Sequence, residues 1–204
     1  KPLSSVGFIE KASGIRQRFA YVKKGILDIG RMRPFISERP EESLSNQAEM
    51  ALLAAREAIK AAGKRASDID AVVVSCAYTQ RSYPAIAIEV QNELGINGFA
   101  FDMLVACSAA TFALHRAYEM VMAGTAACVL LINPELTSPQ VNYCDRDSHF
   151  IFGDVATAAI VERAALLLDA TGGELGLYDE ASQELRIVVS YNLGKDYVGM
   201  RHKL

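Results

Sequence analysis

Of the four cysteines in this 204-residue chain, Cys107 has the surroundings that suit covalent chemistry. Residues 99–124, FAFDMLVACSAATFALHRAYEMVMAG, read as a short strand, an abrupt turn and an amphipathic helix. The strand Phe99–Val105 is apolar apart from Asp102, and Cys107 falls at the turn. Ser108, Ala109, Ala110 and Thr111, all small, follow it. Phe112, Leu114, Tyr118, Val121 and Met122 recur at helical spacing and predict the apolar face, and Gly124 is a stop signal. A thiol at the first turn of such a helix faces unpaired backbone N–H groups and the positive end of the helix dipole. Both favour the thiolate, which is the nucleophilic form. Small neighbours leave room for an acyl group. The competing reading is a buried core cysteine, a common setting for a free thiol. Periodicity alone leaves both readings open.

The other candidates are weaker. Cys76 and Cys128 lie inside apolar runs and read as core residues, and no C-x-x-C pair occurs. Neither a metal site nor a disulfide framework is expected. Arg16 and Arg18 alternate with Ile15 and Phe19, which predicts an extended segment with two cations on one side. Those cations suit either a phosphate contact or a solvated edge. Of the three histidines, His115 follows Cys107 by eight residues of helix. That is about 12 Å of rise, beyond hydrogen-bond reach, so it reads as a surface residue. His149 falls in a loop and His202 in the tail.

The elements that must hold Cys107 follow an alternating order. Ser5 caps a short helix over Val6–Lys11 that Gly14 ends. Val22–Glu42, with two glycines and two prolines, reads as a long loop. Ser43 or Ser45 caps a helix that ends at Gly63. Ile69–Ala77 is a continuous apolar, β-branched run, as in a strand buried on both faces. Pro84 opens a helix that stops at Gly95. The Cys107 unit comes next, then the buried strand Ala126–Ile132, an irregular stretch Pro134–Asp147 and a last strand Ala156–Val161. Such alternation predicts a layered α/β domain over about residues 1–163. The tail departs from it, with two strands, Glu174–Tyr178 and Leu185–Tyr191, forming a hairpin.

With 51% hydrophobic residues the chain can build a substantial core. The net charge is −3 and spread along the chain, so no basic tract points to nucleic acid or an anionic membrane. No apolar run is long enough for a membrane span. There is no signal-peptide pattern, and the chain opens on Lys1, which predicts a fragment. The expected compartment is the cytoplasm.

At VACSAAT the chain resembles the N-terminal half of the beta-ketoacyl-acyl-carrier-protein synthase III family, in the thiolase superfamily. Five blocks agree in order: SGIRQRF (13–19), SDIDAVVVSCAY (67–78), YPAIAIEVQNELGI (83–96), FDMLVACSAATFAL (101–114) and DRDSHFIFGDVATAAIV (145–161). The resemblance implies a thiolase-like half-domain, with αβα layers around a mixed sheet. It implies decarboxylative condensation, in which Cys107 takes an acyl group from acyl-CoA and a carbanion from malonyl-carrier protein attacks the thioester. The backbone N–H of Cys107 would serve the oxyanion hole. By position, Phe8 and Arg16 match contacts to the adenine end of CoA, and Arg146 an arginine at the same mouth. Tyr83 matches an aromatic residue that reaches across a homodimer into the partner's acyl pocket. The implied partners are acyl-CoA and an acyl-carrier protein, with no cofactor or metal.

Two departures stand out. The family pattern F-G-D-G-A reads FGDVA here, with Val155 in place of glycine, which suggests another acyl preference. The family's H-Q-A-N and G-N-T-S type motifs, which carry its catalytic histidine and asparagine, are absent. Full condensation by these residues alone is therefore expected to be absent or weak. Residues 164–204 are similar to the start of a GAF sensor domain, with a helical turn at Ala164–Ala170 leading into the hairpin. The alternative to an enzyme is thus a non-catalytic scaffold fused to a ligand-sensing fragment.

Overall fold

The computed structural model describes residues 4–162, 173–179, 184–191 and 201–203. The chain divides into two compact units, Lys1–Val161 and Glu162–Leu204.

The first unit is built on a four-stranded sheet. Its strands are β1 (Ala71–Cys76), β2 (Phe99–Leu104), β3 (Cys128–Leu136) and β4 (Asp154–Glu162), in the order β2-β1-β3-β4. β1 runs parallel to both β2 and β3. Every residue of β1 is buried, as its unbroken apolar run predicts. Strand alternation sorts the core into two clusters. Val72, Val74, Cys76, Cys128, Leu130 and Ile132 face α2 (Asn46–Ala61) and α3 (Ile86–Leu94). Ala71, Val73, Val129 and Leu131 face α4 (Ala109–Met122). The result is the α/β three-layer arrangement expected from the order of the elements.

Buried and half-buried carboxylates fasten the layers where backbone pairing stops. The α3 N-cap is Ala85, which has no side chain able to cap. Asp102 on β2 takes that role, accepting the N–H groups of Ile86 and Ala87 at 2.8 Å each. Asp154 at the start of β4 accepts the N–H of Tyr21 at 2.9 Å and of Ser138 at 2.7 Å. Glu89 on α3 accepts Ser45 N–H and Oγ–H at 2.7 Å each, while Ser45 Oγ accepts the Ala48 N–H and caps α2.

The N-terminal helix α1 (Val6–Ser13) has Ser5 as its N-cap and Gly14, at φ 73°, as its C-cap. It extends slightly past the expected Lys11. The cap of α2 is Ser45, not Ser43. Pro84 does not open α3, which starts two residues later at Ile86. Residues 22–42 form turns without helix or strand, as read.

Two expectations need correction. The face of α4 that packs on the sheet is Ala109, Ala113, Ala117, Met120 and Val121. Phe112, Leu114, Tyr118 and Met122 are instead 53, 52, 51 and 40% exposed. Alanines at successive turns let the helix lie close to the sheet, and that close approach leaves the larger side chains outside. The third strand also does not end at Ile132 but runs through Pro134 to Leu136. The register with β1 ends at Ile132, so the proline costs no ladder bond to β1.

In the second unit the hairpin is present. β5 (Gly173–Asp179) and β6 (Glu184–Tyr191) pair antiparallel, and β7 (Arg201–Lys203) adds to β6. The expected helical turn at 164–170 and residues 192–200 of the polar end lie outside the described residues.

Candidate active site

The nucleophile turn follows from the way β2 hands over to α4. Val105 leaves the strand at φ −133°, ψ 29°, and Ala106 takes φ 46°, which is uncommon for a residue with a Cβ. A single 3₁₀ turn, Ala106–Ser108, then feeds α4. No side chain caps α4 at Ser108, so the first N–H groups of the helix have no side-chain acceptor. Cys107 sits on this bend and is exposed, whereas Cys76 and Cys128 are buried. The core-cysteine reading therefore holds for those two and fails for Cys107. Burial pushes the Cys76 thiol up to about 12, which keeps it protonated and inert.

Cys107 opens into a cavity of about 500 Å³. Its walls come from Gln17–Phe19, Ala77 just past β1, Ala106–Ala110 on the nucleophile turn, Asn133–Thr137 at the end of β3, and Ile151–Thr157 entering β4. The wall is mostly apolar, with Phe19, Ile151, Phe152 and Val155 prominent. Gly153 has to be small, because a Cβ there would meet Phe19 O at 2.9 Å and Arg18 Cδ at 3.1 Å. A larger groove of about 810 Å³ runs between α2 and β4 and shares Phe19, Asp154, Val155 and Thr157 with the cavity. It contains no cysteine or histidine.

Asn133 and Glu135 were not anticipated as site residues. Both line the cavity, and both bond across to β1 or to the residue just past it, beyond the part of β3 in register with β1. Asn133 Nδ2 donates to Ser75 O at 2.9 Å, and the Glu135 carboxylate accepts the Ala77 N–H at 2.9 Å. Burial raises the Glu135 carboxyl above the usual range, and the Ala77 N–H partly opposes that. The signal in the sequence was N-P-E directly after an apolar strand, hidden by the proline.

The remaining candidates fall in three places. Arg146 lies over the Phe8 ring, with its guanidinium carbon 4.2 Å from the ring centre. The chain segments behind these two meet again at the cavity wall, where Arg18 Nε donates to Ile151 O at 2.9 Å. Arg16 is not part of the wall; its Nε donates to Glu10 at 2.8 Å and its side chain is 80% exposed. Tyr83 is 87% exposed and lines a separate polar cleft beside Arg39 and Arg81. His115 is a surface residue of α4, 3.7 Å from Glu119, and His149 bonds Asp145 O at 2.9 Å. Neither lines the Cys107 cavity. Among the described residues, no group of acidic, histidine or cysteine side chains could hold a metal ion.

Comparison with known proteins agrees with this architecture. The family profile for 3-oxoacyl-[acyl-carrier-protein (ACP)] synthase III matches residues 101–175. A beta-ketodecanoyl-[acyl-carrier-protein] synthase of Pseudomonas aeruginosa is 55% identical over 163 residues, 80% of this chain and 47% of that protein. A beta-ketoacyl-[acyl-carrier-protein] synthase III of Roseobacter denitrificans is 39% identical over 116 residues, 56% of this chain and 36% of that one. Among solved structures, 3-oxoacyl-[acyl-carrier-protein] synthase III of Aquifex aeolicus superposes with a TM-score of 0.65 at 25% identity, covering 90% of this chain and 53% of that one. The priming beta-ketosynthase of the R1128 polyketide pathway gives 0.65 at 27% identity, covering 88% and 48%. The chain spans about half the length, or less, of the curated relatives it matches. Its fold, its cysteine turn and these relatives agree in likeness to the 3-oxoacyl-[acyl-carrier-protein] synthase III family.

Proposed function

We propose that this chain carries the acyl-accepting half of a condensing enzyme, with Cys107 as the nucleophile. The observation that carries this reading is an exposed thiol on the bend before α4, facing a mostly apolar cavity. The sulfur attacks the carbonyl of an acyl-CoA, the CoA thiolate leaves, and the acyl group stays on Cys107 as a thioester. A malonyl group on a carrier protein then loses CO2. The resulting carbanion attacks that thioester, releasing the Cys107 sulfur and a 3-oxoacyl-carrier protein. The backbone N–H of Cys107 stabilises the oxyanion in both additions. None of the described histidines lines the cavity to assist the second step.

The Phe8–Arg146 stack supports docking of the adenine end of CoA, an aromatic face and a cation being suited to a flat base and its phosphates. Arg16, held by Glu10, would contribute by charge at longer range. The P. aeruginosa relative is named for a ten-carbon product. A ten-carbon 3-oxo product is an eight-carbon acyl group plus two carbons from malonyl, so we assign a medium-chain acyl-CoA as substrate. A homodimer is consistent with β2 as an edge strand and with Tyr83 projecting into solvent. No helix among the described residues is long and apolar enough to cross a membrane. The proposed compartment is the cytoplasm.

The test is acylation. Incubation with octanoyl-CoA should add an octanoyl mass to the peptide that contains Cys107 and release CoA, and Cys107→Ala should abolish both. Labelling spread equally over Cys76, Cys128 and Cys144, or unchanged in the variant, would sink the assignment.

A further inference from the structure

We infer that residues 23–35 form a docking knuckle for an anionic lipid surface. The segment KKGILDIGRMRPF closes on itself: Phe35 N–H donates to Lys24 O at 2.8 Å and Arg33 N–H to Gly25 O at 3.2 Å. Closure requires glycine at position 25, which has φ 93° and where a Cβ would meet Arg33 O at 2.4 Å. At the tip, Arg31 N–H and Met32 N–H both donate to Asp28 O, and the Asp28 side chain accepts the Gly30 N–H at 2.9 Å. The tip is therefore built by its own hydrogen bonds.

Leu27 and Ile29 stand on that tip, 92 and 91% exposed. Lys23, Lys24, Arg31 and Arg33 surround its base, all exposed. Lys24 and Arg31 share the Phe35 ring, at 5.5 and 3.7 Å from its centre. No carboxylate among the described residues forms an ion pair with any of the four. They are scattered in sequence, and the closed loop gathers them into a local charge opposite in sign to that of the whole chain. Aliphatic side chains that reach headgroup depth, ringed by lysine and arginine, are the elements of reversible binding to anionic bilayers. A protein partner fits less well. A convex tip with two apolar side chains is far from the roughly 800 Å² per partner that stable protein interfaces bury. The knuckle also touches the segment that carries Arg146, through Met32 Sδ at 3.6 Å from Cys144 Sγ. Docking there would set the proposed CoA-binding segment beside a surface where acyl compounds partition. The surface itself stands independently of the chemistry at Cys107.

Vesicle flotation tests this with the whole chain. Vesicles of equal parts phosphatidylcholine and phosphatidylglycerol should carry the chain at low salt, while phosphatidylcholine alone should not. The double variants Leu27→Ser/Ile29→Ser and Lys23→Glu/Lys24→Glu should each reduce the bound fraction about tenfold, as should high salt for the unaltered chain. All four side chains are exposed, so far-UV circular dichroism should be unchanged in both variants. Absence of flotation, or equal flotation of the variants, would overturn the inference. So would a chain that ignores vesicles but binds purified acyl-carrier protein through Leu27 and Ile29.

Discussion

Arg146 and Phe8, 138 residues apart in the chain, stack with the guanidinium 4.2 Å from the ring centre. The Arg146 Nε is buried without a hydrogen-bond partner, so the group is held by packing and by the ring. If this pair docks the adenine end of CoA, Phe8→Ala and Arg146→Ala should each raise the acyl-CoA concentration that half-saturates Cys107 acylation. A cation–π contact of about 1 to 2 kcal/mol corresponds to a shift of about five- to thirtyfold. The maximal acylation rate should stay near that of the unaltered chain, because neither residue lines the Cys107 cavity. Acylation rates measured over a range of octanoyl-CoA concentrations separate the two quantities. A fall in maximal rate with unchanged half-saturation would contradict the docking role.

Val155 should set acyl preference. It is 52% exposed and lines both the Cys107 cavity and the neighbouring groove. Val155→Gly removes three carbons where the two spaces meet. The expected result is a relative gain for longer acyl-CoAs, by about tenfold or more, since one methylene is worth about 1 to 3 kcal/mol in such pockets. Competition between octanoyl- and dodecanoyl-CoA, read by the acyl mass on Cys107, measures the ratio. An unchanged ratio would remove Val155 from the list of specificity residues.

The extent to which the chain could be read beforehand follows the range of the interactions. The strand at 71–76 was legible because an unbroken apolar run has one good solution, a strand buried on both faces. The caps Ser5 and Gly14 were legible because capping is local. The buried face of α4 was misread because periodicity finds large apolar residues, whereas close packing on a sheet selected alanines. Asn133 and Glu135 escaped because Pro134 resembled a strand end. Only the register shows that its missing N–H costs no ladder bond to β1. Position alone could not separate Arg16 from Arg18. The structure gives one to Glu10 and the other to the cavity wall.

Acid and neutral pH should act on different carboxylates. Burial raises the Asp102 carboxyl above its ordinary range, with the Ala87 and Ile86 N–H groups partly opposing it. The folded chain thus holds that proton more tightly than the unfolded chain does. The contribution of Asp102 to stability is fully present below the ordinary aspartate value and is lost as pH rises through the raised one. Glu49 does the reverse: hydrogen bonds from Tyr21 and Arg39 lower it. Its contribution is present above the ordinary glutamate value and is lost as pH falls through the lowered one. Asp102→Asn should flatten the decline on the alkaline side of pH 4, and Glu49→Gln the loss on the acid side. Urea unfolding across pH 3 to 7 reads both, and coincident changes in one window would be inconsistent with this assignment.

Gln47 offers the sharpest test of how the cavity wall is held. Its side chain is fully buried at the start of α2. Nε2 donates to Tyr78 O at 2.8 Å and to Pro134 O at 3.2 Å, and Oε1 accepts the Gln80 N–H at 2.8 Å. One amide thus ties the exit of β1 to the end of β3, next to Ala77 and Glu135 on the cavity wall. Gln47→Ala strands two carbonyls and one N–H, with an expected loss of about 3 kcal/mol in unfolding free energy, since each unpaired buried group costs about 1 to 3 kcal/mol. Gln47→Glu is nearly isosteric but replaces both donated bonds with a carboxylate facing two carbonyls, so it should be at least as damaging. A destabilisation by glutamate well below that caused by alanine would mean that shape, and not the donor pattern, holds this corner of the site.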